Sequence, residues 1–109
     1  MEDYTNNYLR DTYKRVTIGG FDMIKVRKRI ICADGFSVSI QAGKYNYCSP
    51  RIDMKSGYGA VELGFPSQED DLIMEYSETP ETPTDTVYGW VPVDIVNKLI
   101  EKHGGPAET

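Results

Sequence analysis

The dipeptide Asp34-Gly35, set between two runs of alternating apolar and polar residues, constrains the fold of this chain more than any other feature. Glycine adopts at little cost the positive φ angle that a tight turn between antiparallel strands requires, so the pattern predicts a β-hairpin. The second run places Phe36, Val38 and Ile40 on one face, which we expect to be buried. An antiparallel sheet is therefore the predicted centre of the structure.

Further strands are predicted on both sides of this hairpin. Short apolar runs over residues 15–18 and 23–26 flank Gly19-Gly20, and residues 58–65 and 72–76 show the same strand-like pattern. A helix is predicted over residues 92–103, because its apolar side chains recur at the spacing of one helical face. We expect an α+β fold, in which a mainly antiparallel sheet of about five strands is packed by one C-terminal helix.

The chain length of 109 residues predicts a single domain. Residues 1–13 are expected to be a weakly ordered N-terminal arm, although its apolar side chains fall near helical spacing and leave open a short helix docked on the body or on a neighbouring subunit. Residues 14–105 form the predicted α+β domain. Residues 77–86, rich in Thr, Pro and Glu, are expected to be a mobile loop, and residues 106–109 a tail.

Net charge and the cysteines limit the function classes. Twelve Lys and Arg residues against 17 Asp and Glu residues give a net charge of −5, which disfavours generic nucleic-acid binding. Residues 25–29 (KVRKR) are a local exception; a solvated edge strand is favoured over an anion site there. Because the first residues show no signal-peptide pattern and no run is apolar enough to span a membrane, Cys32 and Cys48 are expected to be free thiols in a cytoplasmic protein.

Catalytic and metal-binding patterns are weak. The single histidine, His103, falls in the last turn of the predicted helix, where a structural role is favoured over that of a general base or ligand. A zinc site would need a fourth ligand besides His103, Cys32 and Cys48. We therefore predict a protein that is not an enzyme and that has no catalytic residues, metal or cofactor.

Recognition residues are concentrated directly after the hairpin. Aromatic rings there offer stacking surfaces, cations offer charge neutralisation, and amide and hydroxyl groups offer hydrogen bonds, a combination that suits a nucleotide-like anion. For the more distant Trp90, which comes just before the predicted helix, a core role or a hydrophobic staple role is favoured over binding. The predicted ligand-binding residues are Lys44, Tyr45, Asn46, Tyr47, Ser49 and Arg51, together with Arg27.

Three segments, ADGFSVSIQAGKYNYCSPR, YGAVELGFPS and VYGWVPVDIVNKLIEKHGG, resemble a group of small uncharacterised tailed-phage and prophage proteins. The resemblance spans roughly residues 33–105 and brings no site residues with it. It implies a phage-encoded protein acting in the bacterial cytoplasm, where small proteins of this kind are often accessory or counter-defence factors.

Three functions follow as hypotheses. The first is a non-enzymatic binding protein that sequesters a small anionic nucleotide-derived molecule. We expect it to be a homo-oligomer, because two copies of a small domain make a deeper pocket than one. The second is an anti-CRISPR-like inhibitor whose acidic segments at residues 69–71 and 78–85 bind a basic surface of a host defence protein. The third is a minor structural or accessory phage protein.

Overall fold

The computed structural model describes residues 2–55 and 57–107, which form an α+β fold with two antiparallel sheets. A four-stranded sheet has the order β3-β4-β5-β6, and a separate two-stranded sheet pairs β1 with β2. The elements are α1 (Tyr4–Asp11), β1 (Arg15–Ile18), β2 (Phe21–Ile24), β3 (Ile30–Ile31), β4 (Ser37–Gln41), β5 (Ala60–Gly64), a 3-10 helix (Met74–Tyr76), β6 (Val87–Pro92) and α2 (Val93–Lys102).

The fold class and the antiparallel pairing are confirmed, whereas the finer architecture differs. The expected single sheet of about five strands is divided into four strands and a hairpin, and there are two helices where one was predicted. Residue 1 of the predicted arm and residues 108 and 109 of the predicted tail lie outside the described part of the chain. No helix in the described residues is long and apolar enough to cross a membrane.

The predicted hairpin joins β3 to β4. Ile30 pairs with Val38, and three residues from Ala33 to Gly35 connect the strands, so the turn is one residue longer than a two-residue turn. The Asp34 carboxylate accepts the Phe36 amide at 2.9 Å, and Gly35 has a φ of +95°. This side-chain bond and the left-handed glycine together explain why the chain reverses here.

The core lies between one face of the four-stranded sheet and the helices. Val38 and Ile40 of β4 are buried as predicted, since alternate residues of a strand point to the same side, and Phe36, directly before the strand, is also buried. Helix α2 confirms the predicted amphipathic helix. It contributes the buried side chains Val93, Val96, Leu99 and Ile100.

Helix α1 occupies the predicted arm and packs on the body of the protein. Asp3 caps it by accepting the Asn6 amide at 3.0 Å, and Leu9 is fully buried. The Thr5 hydroxyl donates to Asn97 of α2 at 2.7 Å. A polar eight-residue helix is marginal alone, so these tertiary contacts stabilise it, and they are invisible to sequence periodicity.

The predicted strand at residues 72–76 is wrong. Asp70 accepts the Leu72 amide through its side chain at 3.0 Å and the Ile73 amide through its carbonyl at 3.2 Å, which starts a turn that continues into the 3-10 helix. Aspartate side chains favour such turns over strand pairing. The following residues up to Thr86 contain no helix or paired strand beyond the Ser77–Tyr88 bridge.

The predicted edge strand at residues 25–29 is also not formed, and β2 ends at Ile24. The side-chain amide of Gln41 instead takes the place of a strand partner. It accepts the Arg27 amide at 3.1 Å and donates to the Arg27 carbonyl at 2.8 Å. Backbone groups that a sheet would pair are thereby satisfied by one side chain.

Candidate functional site

A bulge in β6 places the only tryptophan of the chain at the surface. Val61 pairs with Val91 and Leu63 with Tyr88, so the two residues Gly89 and Trp90 lie opposite the single residue Glu62. Trp90 has a φ of +49° and is 48% exposed. Of the two roles favoured for Trp90, burial in the core is therefore wrong.

The loop after β4 packs on this bulge. The Trp90 amide donates to the Tyr47 carbonyl at 3.0 Å, and the Tyr47 amide donates to the Glu62 carboxylate at 3.0 Å. A Cβ atom at Gly89 would lie 3.3 Å from the Cβ of Tyr47. Glycine therefore lets the loop approach β6 closely.

These contacts build an aromatic stack, which we define as Tyr47, Trp90 and Arg51. The rings of Tyr47 and Trp90 lie with centroids 5.0 Å apart and planes 25° from parallel. The Arg51 guanidinium carbon lies 5.7 Å from the centroid of the Tyr47 ring. Offset stacking and cation–π attraction both favour this arrangement, which presents two half-exposed rings beside a cation.

The conformation of Trp90 is unfavourable in isolation. A left-handed backbone costs a residue with a side chain about 1–3 kcal/mol, and a bulky aromatic is an uncommon occupant of it. Strained positions and bulges are both concentrated at binding sites, where they direct a side chain. Because Trp90 is 48% exposed, about half of its surface is not buried in the fold, which points to a role at the surface.

A second surface of the same loop is a cavity of about 160 Å³, called here the loop cavity. Its lining includes Lys44, Tyr45 and Asn46, with Arg27 and Asp53. The Lys44 ammonium lies 5.2 Å from the centroid of the Tyr45 ring, and Asp53 accepts the Lys44 amide at 2.9 Å. The volume suits a phosphate or one ring rather than a whole nucleotide.

The predicted binding residues thus divide between two surfaces. Lys44, Tyr45 and Asn46 line the loop cavity, whereas Tyr47 and Arg51 belong to the aromatic stack. Ser49 is exposed, and its backbone pairs with Ala60 at the start of β5.

Arg27 differs from the other predicted residues because it is only 5% exposed. Its guanidinium donates to the carbonyls of Leu9 and Ala42, at 3.2 and 3.1 Å, and to the Thr12 hydroxyl at 3.0 Å. Burial lowers the pKa of this group from its ordinary value. Arg27 therefore ties α1 to the end of β4, and its charge is committed to protein carbonyls.

The two thiols are poor nucleophiles. Cys32 and Cys48 are both free and 1% exposed. Burial raises the pKa of Cys32 to about 11 and also raises the pKa of Cys48, so at neutral pH both stay protonated. A thiolate mechanism has no support from these positions.

His103 lies in a buried charge cluster that sequence reasoning missed. Its Nδ1 atom is 2.7 Å from Asp34 and its Nε2 atom 3.0 Å from Asp70, while its ring stacks on Phe36 at 4.0 Å. Lys102 also pairs with Asp70, at 3.0 Å. With both ring nitrogens bonded to carboxylates, His103 joins the end of α2 to the hairpin and to the turn at Asp70.

The pKa values in this cluster favour charged groups. Desolvation alone would lower the pKa of His103, but its bonds to Asp34 and Asp70 raise it. Burial alone would raise the pKa of Asp70, yet the Leu72 amide, His103 and Lys102 keep it below its usual value. The pKa of Asp34 is lowered by the Phe36 amide and by His103. The cluster is thus a structural ion pair network rather than a free acid or base.

Comparisons with protein-family models, curated proteins and solved structures find no match to this chain. Among the residues that the structure describes, no three His, Cys, Asp or Glu side chains are grouped so that they could hold a metal ion.

Proposed function

We propose that this chain is a non-enzymatic binding protein that sequesters a small anionic, nucleotide-derived molecule, and that the planar ring of the ligand stacks on the exposed Trp90 and Tyr47. The observation that carries the proposal is the half-exposed Trp90, held in a left-handed backbone conformation against Tyr47. The resemblance to phage proteins adds a setting, counter-defence in the bacterial cytoplasm.

Charge and hydrogen bonding around the stack support an anionic ligand. Arg51 next to the Tyr47 ring supplies a cation that can pair with a phosphate or carboxylate, and Lys44 supplies another at the loop cavity. Asn46 offers a side-chain amide at the same cavity. Stacking is tolerant of ring identity, so base choice would depend on these polar groups.

The test is a titration that follows the fluorescence of Trp90, because no other tryptophan is present. Purified protein is titrated with mononucleotides, dinucleotides, cyclic nucleotides and ADP-ribose. Native mass spectrometry of the same preparation gives the number of subunits and reveals any molecule that copurifies. A nucleotide that quenches Trp90 saturably supports the proposal, and no response to any member of the panel contradicts it.

A pair of variants separates the effect of removing the aromatic ring from the effect of relieving the strained backbone. Trp90→Gly removes the ring and suits the left-handed backbone, and Phe65→Gly does the same at another exposed position whose φ is +51°. Base stacking contributes about 1–3 kcal/mol, so Trp90→Gly should weaken binding by about 5- to 150-fold. Phe65→Gly should bind normally, with both affinities measured by calorimetry.

A protein partner is the second candidate function, and the tip of the β1–β2 hairpin favours it. Ile18 and Phe21 pair with each other there and are 61% and 69% exposed. Exposed apolar side chains of this size often mark interaction surfaces. The acidic segment at residues 69–71, proposed to bind a basic host surface, presents less exposed charge than expected, since the Asp70 side chain is only 2% exposed. If the protein binds a partner protein with an affinity that does not depend on salt, and if Phe21→Ser abolishes that binding, this function is favoured over nucleotide binding.

A further inference from the structure

Positive charge is concentrated in one stretch of this acidic chain. Residues 10–29 contain seven of the twelve Lys and Arg residues but only two of the seventeen Asp and Glu residues, a local excess of five positive charges. The rest of the chain therefore carries an excess of ten negative charges, since the net charge is −5. An uneven distribution of this kind creates a local positive potential that attracts anions.

Part of this charge lines a groove of about 380 Å³, called here the basic groove, to which Lys14, Lys25, Lys28 and Tyr13 contribute. Among the described residues, none of these lysines has a carboxylate within ion-pair distance. The one acid that lines the groove, Asp11, pairs with Arg10 at 3.1 Å. Three lysines that line the groove therefore have no ion-pair partner in the part of the chain that the structure describes.

The backbone that carries these lysines is held in place. The Lys25 amide donates to the Lys14 carbonyl at 2.7 Å, which adds one rung beyond the paired ends of β1 and β2. The Tyr8 hydroxyl donates to the Lys28 carbonyl. Between them, the buried guanidinium of Arg27 fixes the segment to α1 and to the end of β4. The lysines are therefore presented from a fixed backbone rather than from a free loop.

The basic groove adjoins the loop cavity. Lys25, Val26 and Arg27 line both hollows, and Lys44 also lines the loop cavity. Lys14, Lys25 and Lys28 thus line one hollow, and Lys25 and Lys44 line the neighbouring one, which belongs to the loop of the proposed site. A ligand with several phosphates offers a separate anionic group to each of these lysines, whereas a mononucleotide offers a single phosphate group.

We infer that the basic groove binds a phosphodiester chain, so that the ligand of this protein is a short single-stranded oligonucleotide rather than a mononucleotide. The inference rests on the proposed function and extends its ligand class. Each lysine pairs with a successive phosphate, and Tyr13 offers a further ring on which a base can stack. Long duplexes remain disfavoured by the net negative charge elsewhere.

The experiment compares adenosine monophosphate, linear and cyclic diadenylate, and tetra-adenylate. Binding is followed by Trp90 fluorescence and, independently, by the anisotropy of a tetra-adenylate carrying a terminal fluorophore. The test variant is Lys14→Gln with Lys28→Gln. The matched control is Lys55→Gln with Lys98→Gln, which removes two exposed lysines outside the groove.

The dissociation constant of the protein should fall at least tenfold from monophosphate to tetra-adenylate. The test variant should lose that gain, bind the monophosphate normally, and show a salt slope lower by about 1.4, since each lysine releases about 0.7 of a counter-ion from a single strand. Comparison of linear and cyclic diadenylate shows which backbone the groove prefers.

Two outcomes separate this inference from the proposed function. The inference is overturned if adenosine monophosphate quenches Trp90 but added phosphates do not increase the affinity, or if both double variants lose affinity equally. Either result leaves the proposed function intact. Tetra-adenylate that binds by anisotropy in a manner sensitive to Lys14 and Lys28, without any change in Trp90 fluorescence, supports the groove and refutes stacking on Trp90.

Discussion

Replacement of His103 by glutamine should destabilise the protein strongly, because this ring connects three segments of the fold. Its side chain is 6% exposed and lies between Asp34 and Asp70, and the carboxylate of Asp70 is itself only 2% exposed. Removing one partner of a buried ion pair costs about 3–5 kcal/mol. Because Asp70 keeps its bonds to Lys102 and to the Leu72 amide, we expect the free energy of unfolding to fall by about 3 kcal/mol.

The pH dependence gives a second signature of the same cluster. Since the folded pKa of His103 is raised, its contribution is complete below about pH 6.5, the unfolded value, and is lost as the pH rises through the folded pKa. The pKa values of Asp34 and Asp70 are lowered, so their contribution is complete above about pH 4 and is lost in acid. Stability from the cluster should therefore be greatest between about pH 4 and 6.5.

Urea unfolding followed by circular dichroism measures both effects. The wild-type free energy of unfolding should fall as the pH rises from 6 to 9, whereas His103→Gln should be less stable at pH 6 and nearly flat over that range. Asp71→Asn, an exposed neighbour of the cluster, serves as a control that should behave as wild type. A His103→Gln protein within about 0.5 kcal/mol of wild type at pH 6, or with the same pH profile, would refute this account.

Three further predictions concern buried polar groups. Arg27→Met should lower the free energy of unfolding by about 2–4 kcal/mol in urea, because it leaves the Leu9 and Ala42 carbonyls without donors; equal stability would count against the anchoring role. Asn97→Ala removes the acceptor of the Thr5 amide and hydroxyl, so hydrogen exchange of α1 amides should speed up while that of β4 amides does not. Both thiols should react with a disulfide reagent only after denaturation; fast reaction of the native protein would show that they are accessible.

Local pattern was sufficient to predict the hairpin and α2. The turn needs one left-handed glycine next to an aspartate, and the buried faces of β4 and α2 repeat at their own periods, so each signal lies within about ten residues of sequence. The run at residues 72–76 has an apolar pattern too, but the side chain of Asp70 captures the Leu72 amide and turns the chain.

The site could be predicted only in part. Residues 44–51 were identified by composition, yet their division into two surfaces depends on where the loop packs. Trp90 contacts Tyr47 because of a bulge in β6 opposite Glu62, and no sequence pattern predicts a bulge there. The partners of His103 are 33 and 69 residues away, and Arg27 is buried by contacts with α1. Such contacts are set by tertiary packing rather than by local propensity.

The most direct test of the central claim is a fluorescence titration of Trp90 with nucleotides. It is carried out on the wild type and on Phe65→Gly, the control variant that keeps Trp90. The account predicts saturable quenching by an anionic nucleotide in both proteins, and calorimetry should show the same ligand bound at least about fivefold more weakly by Trp90→Gly. A nucleotide that binds Trp90→Gly as tightly as wild type, or a fluorescence unchanged by every nucleotide, would contradict it.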